Sequence, residues 1–179
     1  MIDDISLRII ESDEDIAFLF EMFTASDQHL FSSTIPLNSI SEFTEWISSR
    51  LRNYYHDFRI MHYNNSPVGF IYSFDHFASD RHCKICVDVL PSFRNSGIGG
   101  LGTILFADYL FKTYPLRKIY STVYDYNKQS LMTNIKSGLV EEGKLNGIKY
   151  YNGKFYDLHF FSISRDLFYS TLYKYILFD

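Results

Sequence analysis

The sequence contains little cysteine, with two residues among 179. Cys83 and Cys86 form one C-x-x-C motif, and a structural zinc site of this type needs further ligands at the proper spacing. The neighbouring positions alternate as in a β-strand, where residues three apart point to opposite faces. We therefore predict two ordinary strand cysteines and no metal site.

The sequence also lacks long apolar runs and concentrated positive charge. No stretch approaches the roughly 18 consecutive apolar residues of a membrane-spanning helix, and residues 1–10 lack the basic and apolar regions of a signal peptide. The formal net charge is −4 and the isoelectric point is near 5.8, whereas a nucleic-acid-binding protein needs a basic stripe to neutralise phosphates. We expect a cytoplasmic protein with neither a membrane nor a nucleic acid as partner.

Aromatic residues are abundant, with 15 tyrosines and 17 phenylalanines. Such side chains favour the half-buried surface of a sheet. The chain is long enough for one domain with a sizeable core and too short for two ordinary domains. We predict a single domain over residues 1–179.

The hydrophobic pattern predicts the element order β-α-α-β-β-β-α-β-α-β-β. Ser12 with Asp15 and Ser39 with Glu42 have the spacing of capping boxes that begin two helices. Asn152-Gly153 is a strong hairpin signal. Residues 26–36 are polar and irregular, and 164–178 are left unassigned. The predicted strands are 5–10, 58–63, 68–77, 82–90, 118–125, 149–151 and 155–163, and the remaining predicted helices are 98–112 and 128–136.

A glycine-rich loop follows the strand over 82–90 and leads into a helix. Residues 94–100 contain three glycines, which let successive backbone N–H groups point inward with no Cβ in the way. The helix N-terminus adds partial positive charge, so the loop is suited to a pyrophosphate. The loop is not a Walker motif because no Lys-Ser or Lys-Thr follows the glycines, and it does not match the Rossmann fingerprint.

Three segments, in order, resemble one family. The pattern Arg94-x-x-Gly97-x-Gly99, with a proline three residues earlier, resembles the R/Q-x-x-G-x-G/A pyrophosphate loop of the GNAT acetyltransferase superfamily. Asn127, together with residues 138–143, is similar to the N-x-x-[SA]…G-[FL]-x-x-E-G segment of the ribosomal-protein (RimJ/RimL-like) and spermidine acetyltransferase branch. The hairpin at residues 151–157 also resembles that branch.

The resemblance implies the GNAT fold, an α/β (α+β) domain whose mixed, mostly antiparallel central sheet is flanked by helices. It also implies acetyl-CoA as co-substrate, with the pantetheine arm between the splayed strands 82–90 and 118–125. A backbone N–H near Val89 would then polarise the thioester carbonyl. The residues implied to contact acetyl-CoA are Val87, Asp88, Val89, Arg94, Asn95, Ser96, Gly97, Ile98, Gly99, Gly100 and Asn127.

The chain departs from the family pattern where an acid is expected to protonate the departing thiolate. The spermidine enzymes and many relatives carry a tyrosine four residues before the Gly-Phe pair, and here that position is Asn134. An amide can hydrogen-bond the sulfur but cannot act as an acid. Either the thiolate leaves without a dedicated acid, or Tyr124 or Tyr126 serves, or Asn134 is only a polar helix residue.

A second departure concerns the glutamate that this family often carries on the strand over 82–90. Lys84 occupies that position, and a cation there would repel a polyamine. Asp88, Asp75 and His76 remain as candidate general bases, and each has an ordinary structural role as its alternative. Our predicted catalytic residues are Asn134, Tyr124 and Asp88.

We therefore predict an acetyl-CoA-dependent N-acetyltransferase that acts on a primary amine. A protein N-terminus, an amino sugar and a small amine all remain open as acceptors, and so does a homodimer. The alternative is a catalytically weak or silent acyl-CoA-binding module, and a scaffold domain would have to explain residues 94–100 as a structural turn.

Overall fold

The structure is a computed structural model that describes residues 4–25 and 38–177. The polar segment over residues 26–36 lies outside these described residues. The strands are β1 (Ile5–Arg8), β2 (Tyr55–Tyr63), β3 (Ser66–Phe77), β4 (His82–Val89), β5 (Lys118–Tyr124), β6 (Val140–Tyr151) and β7 (Lys154–Ser164). The helices are α1 (Asp13–Thr24), α2 (Ile40–Asn53), α3 (Ile98–Thr113) and α4 (Lys128–Lys136).

The seven strands form one sheet in the order β1-β2-β3-β4-β5-β7-β6. Every neighbouring pair is antiparallel except β4 and β5, which run parallel. This is the predicted mixed, mostly antiparallel sheet, in the predicted element order. No helix in the described part of the chain is long and apolar enough to cross a membrane.

Hydrogen bonds within a few residues fix where the first two helices begin. Ser12 Oγ accepts from the Asp15 N–H at 3.2 Å while the Asp15 carboxylate accepts from the Ser12 N–H at 3.1 Å, which completes the predicted capping box. At α2, Ser39 Oγ accepts from the Glu42 N–H, but the Glu42 carboxylate bonds to the N–H of Asn38 instead of that of Ser39. The second capping box therefore differs from the prediction in one hydrogen bond, because the glutamate accepts from the residue before the N-cap.

The two faces of the sheet are covered by different helices. On one face α1 and α2 pack against β2 and β3 through a largely aromatic core that includes Phe43 and Phe70. On the other face α3 packs around Phe106 and Leu110. An added Cβ at Gly69 of β3 would lie 2.3 Å from the Asp88 carbonyl oxygen of β4, so this close approach of the two strands requires glycine.

One predicted boundary near the C-terminus is wrong, and the tail that the sequence left unassigned has a defined structure. β6 begins at Val140, not at 149, because it is an edge strand that is exposed along almost its whole length and therefore has no apolar alternation to detect. The unassigned tail forms a helical segment over residues 165–176, which we call the C-terminal segment. It packs on α3, and its Phe168 is fully buried.

Candidate active site

A cleft opens where β4 and β5 part. The two strands pair only between residues 82–84 and 118–120, although β4 continues to Val89 and β5 to Tyr124. The parting leaves one edge of β4 without a neighbouring strand. A slender, extended group therefore has a gap in the middle of the sheet into which it can enter.

The backbone groups that face this gap follow from the register of β4 on β3. Gly69 pairs with Val89, and the Leu90 N–H donates to the Val68 carbonyl at 2.8 Å. In an antiparallel pair, hydrogen-bonded positions alternate. Asp88 therefore directs its N–H and C=O to β3, whereas Val87 and Val89 direct theirs into the gap.

The loop after β4 forms an anion cradle at the start of α3. Pro91–Phe93 makes one 3₁₀ turn, and Asn95 and Gly97 both have positive φ, 63° and 89°. Gly97 is the N-cap of α3, and Leu101 makes the first helical bond back to its carbonyl. The N–H groups of the first turn thus point out of the helix end toward the cleft side of the loop, with the helix dipole behind them.

The glycines of that cradle have space beside them. A Cβ added at Gly97 or Gly100 meets no atom within 4 Å, and one at Gly99 meets only Val89, at 3.4 Å. Ser96 Oγ accepts from the Ile98 N–H at 3.3 Å, which fixes the entry to the helix. The loop therefore fits a pyrophosphate in shape and charge, and the exposed β4 edge leads away from it.

Charged and polar side chains brace the cradle. Arg94 lies 3.4 Å from Asp88, whose side chain is only 14% exposed. Gln129 of α4 donates to Asn95 Oδ1 at 2.9 Å, which links α4 to the loop. Asn127 caps α4 by accepting from the Ser130 N–H. As a candidate base, Asp88 thus shares its carboxylate with Arg94.

Asn134 lies beside β5. Its amide Nδ2 is 3.4 Å from Ser121 Oγ, and α4 ends just after it in a Schellman motif, in which Leu139 N–H bonds to Asn134 O and Gly138 N–H bonds to Ile135 O. Gly138 has φ +74°, as the predicted helix stop requires. Ser121 could not be recognised from the sequence, because nothing in a strand pattern marks one hydroxyl among several.

The candidate acids Tyr124 and Tyr126 lie elsewhere. Tyr124 is three residues after Ser121 on β5 and so points to the opposite face of the sheet. It stacks on Tyr126 at 5.4 Å, within a cluster that also contains Tyr151 and Tyr156. Burial, assisted by Tyr124, raises the pKa of Tyr126 to about 12. The structure therefore joins Asn134 to Ser121 and not to either tyrosine.

Lys84, Asp75 and His76 lie toward the closed end of the cleft. Lys84 Nζ forms an ion pair with Asp75 at 3.0 Å, so the positive charge of Lys84 is compensated. His76 Nε2 lies 3.0 Å from Ser73 Oγ, and its ring stacks on His56. Burial lowers the pKa of His76 to about 4, which makes it a weak general base at neutral pH.

The two cysteines lie on opposite faces of β4, as predicted. Cys83 is in the core beneath α3, whereas Cys86 bonds to Tyr72 on the other face. Burial raises the pKa of each thiol to about 12. Among the described residues no group of three or more His, Cys, Asp and Glu side chains is placed to hold a metal ion.

One sequence relative spans nearly the whole chain. An SPbeta prophage-derived N-acetyltransferase of Bacillus subtilis (strain 168), YokL, described as uncharacterized, is 25% identical over 169 residues, which are 93% of both proteins. No protein-family model matches the chain.

Solved structures share the fold. A spermidine N-acetyltransferase from Vibrio cholerae, in complex with CoA and spermine, superimposes with a TM-score of 0.83 at 19% identity over 93% of this chain and 99% of that one. RimL, a ribosomal L7/L12 alpha-N-protein acetyltransferase in complex with CoA, superimposes with a TM-score of 0.79 at 15% identity. The match covers 92% of this chain and 96% of that one. These likenesses confirm the predicted fold, and the Bacillus subtilis relative supports the resemblance to N-acetyltransferases.

Proposed function

Because the chain has the fold of the GNAT acetyltransferases and is similar in sequence to an N-acetyltransferase, we propose that it transfers an acetyl group from acetyl-CoA to a primary amine. One observation carries the proposal. β4 and β5 part beyond residues 84 and 120, and the exposed backbone edge of Val87 and Val89 leads to the cradle at the N-terminus of α3. The cradle suits the pyrophosphate, and the edge suits the amide groups of a pantetheine arm.

In this reaction the chain's own groups polarise the thioester carbonyl, take the proton of the amine and stabilise the departing thiolate. Acetyl-CoA supplies an activated thioester; its C–S bond breaks as the C–N bond to the amine forms, the amine gives up a proton and the thiolate takes one. The Val87 or Val89 N–H polarises the carbonyl that accepts the developing charge. Asp88, Asp75 and His76 stay candidates for taking the amine's proton, directly or through water.

At the sulfur side, Asn134 and Ser121 act together. Because the Asn134 amide donates to Ser121 Oγ, the Ser121 hydroxyl hydrogen is left to donate to another acceptor. Asn134 thus holds a hydroxyl whose hydrogen can stabilise negative charge on a departing thiolate. This arrangement provides a hydrogen bond to the thiolate where a dedicated acid is missing.

The silent acyl-CoA-binding module is the second candidate, and Asn134 in place of the tyrosine is the observation that favours it. The two functions differ in one measurement. Acetyl-CoA mixed with a panel of peptide, amino-sugar and small amines releases CoA thiol only if the protein transfers the acetyl group. Binding of acetyl-CoA with thiol release no faster than without protein, for every amine, would favour the module.

The cradle is tested by Gly99→Val. The added Cβ lies in ordinary contact distance of Val89, so the fold should survive, while the side chain fills the space in which the phosphates are expected. Isothermal titration should show acetyl-CoA binding abolished. Gly143→Val is the matched control, because its Cβ meets no atom within 4 Å. Undiminished affinity for acetyl-CoA in folded Gly99→Val protein would contradict the proposal that the cradle binds the pyrophosphate.

The acceptor is tested with polyamines. Lys84 is neutralised by Asp75, so this position offers no uncompensated carboxylate to hold a polycation, and we expect negligible turnover of spermidine and spermine. Lys84→Glu should move activity toward them, because it sets a second carboxylate beside Asp75. Wild-type acetylation of spermidine at millimolar or lower KM would show that this charge argument is wrong.

A further inference from the structure

A small cavity lies at the closed end of the cleft. Ile85 is the first residue of β4 beyond the paired stretch, Ser121 is the first such residue of β5, and both line the cavity. Asn134, which bonds to Ser121, therefore lies next to its rim. The cavity extends from this point away from the cleft, toward α3 and the C-terminal segment.

The cavity wall is almost wholly apolar. Ile104 and Ala107 of α3, Ile119 of β5 and Ile163 of β7 contribute to it, and the hydroxyl-bearing residues in the lining are Thr103, Tyr120 and Ser121. Apolar cavities of this kind stay dry and accept small apolar groups. The only part of an acyl thioester that is apolar and ends near the reacting carbonyl is the acyl chain.

The size of the cavity sets a limit on that chain. Its volume is about 40 Å³, and a cavity needs roughly 10–15 Å³ to hold one water-sized group. The cavity thus has room for about three such groups. The methyl of an acetyl group would fill only one of these places.

The far wall comes from the C-terminal segment. Phe168, which is fully buried, and Leu172 close the cavity on the side away from β4. The segment is fixed on α3 by the Tyr169 hydroxyl, which donates to Asp108 at 3.3 Å, and by Lys112 over the Tyr173 ring. The depth of the cavity therefore depends on a segment that follows the last strand.

We propose that this cavity receives the acyl group of the donor thioester, that it admits propionyl and butyryl chains as well as acetyl, and that Leu172 of the C-terminal segment sets the longest chain. The inference rests on the proposed function, since it concerns the donor of the same reaction. The inference also requires that longer acyl chains bind. An enzyme restricted to acetyl-CoA would satisfy the proposed function but not this inference.

The test is isothermal titration with CoA and with its acetyl, propionyl, butyryl and hexanoyl thioesters, which needs no acceptor. Burial of each further methylene should strengthen binding roughly fourfold up to butyryl, and hexanoyl should bind more weakly than butyryl. Affinity that falls steadily from acetyl to butyryl would overturn the proposal. Absence of binding for CoA itself would instead count against the proposed function.

Two variants change the cavity in opposite directions. Ala107→Val narrows it and should weaken butyryl binding relative to acetyl binding by about tenfold or more. Leu172→Ala deepens it and should restore hexanoyl binding. Tyr175→Ala is the control on the same segment, since this side chain is exposed and absent from the lining, and should leave every ratio unchanged.

The readout is the ratio of two affinities in one protein preparation, which partial unfolding does not alter. An unchanged butyryl-to-acetyl ratio in Ala107→Val would mean that the cavity is only a packing defect, and would overturn the proposal. If Ala107→Val does not fold, the affinities of the wild type and of Leu172→Ala for the five ligands still show whether the cavity receives the acyl chain.

Discussion

Asn134 occupies the position at which the spermidine acetyltransferases that the sequence resembles carry a tyrosine, and its amide donates a hydrogen bond to Ser121. Asn134→Tyr should place a phenol at this position. A well-positioned general acid is worth roughly 10²–10⁴-fold, so kcat should rise, or activity should emerge in a silent protein. The gain should fade as pH rises past the phenol pKa, near 10 when unperturbed. Steady-state kinetics against pH measure this.

Asn134→Phe is the control that distinguishes the effect of the phenol hydroxyl from that of the aromatic ring, because phenylalanine adds similar bulk with no proton to give. Equal gains in both variants would show that packing, not acid catalysis, is responsible. Loss of activity in Asn134→Tyr would instead show that the amide has a role of its own. Collapse in Tyr124→Phe or Tyr126→Phe, with Asn134→Ala unaffected, would place the acid in the tyrosine cluster.

At the scale of elements, a polar network ties β2 and β3 to the end of α3. Asp57 is buried, and its carboxylate accepts from Arg59 at 3.0 Å, from the Tyr109 hydroxyl at 3.1 Å and from the Tyr114 hydroxyl at 2.7 Å. The Tyr114 ring also contacts His76 edge-on. The network fixes where α3 ends relative to the sheet, and thereby helps to place the cradle at its other end.

This network predicts a pH dependence of stability. Burial lowers the pKa of His76 to about 4, whereas an unfolded histidine has a pKa near 6.5. Between these values the unfolded chain holds a proton that the folded chain does not. The stabilising effect of a neutral His76 is therefore complete above about pH 6.5 and is lost as pH falls toward 4.

His76→Gln should lose less stability than wild type between pH 7 and 4.5. Because His76 is partly exposed we expect a difference of about 1 kcal/mol, or roughly 2–4 °C in Tm. His62, whose pKa burial also lowers, contributes equally to both proteins. The control is the interval from pH 7 to 8.5, where the two Tm curves should run parallel. If the Tm curves of wild type and His76→Gln also run parallel below pH 6.5, His76 does not cause this pH dependence.

On the scale of the whole molecule, the C-terminal segment completes the core. Phe168 is fully buried against α3 and contacts Phe111. Phe168→Ala should lower the free energy of unfolding by about 3–5 kcal/mol, measured by urea denaturation. Tyr175→Ala, on the exposed side of the same segment, should change it by less than about 0.5 kcal/mol. A loss under 1 kcal/mol for Phe168→Ala would mean that the segment is only loosely attached.

The sequence by itself determined the features whose interactions span a few residues. The Ser12–Asp15 box, the Asn152-Gly153 turn, the Gly138 stop and the 94–100 loop each depend on local backbone geometry, so their residues could be recognised in order along the chain. The family resemblance rests on the same local segments, which is why the fold and the glycine loop at the start of α3 could be predicted together.

Only the tertiary structure decided which distant side chains meet. The Asn134–Ser121 contact, the Lys84–Asp75 pair and the cavity beneath the C-terminal segment each join separate elements, and their partners have no fixed spacing in sequence. The part of β6 before residue 149 escaped detection because an exposed edge strand buries no face, so its residues carry no alternation. Strand pairing and packing across the sheet set these contacts, and a one-dimensional pattern records only the face that each residue turns to the core.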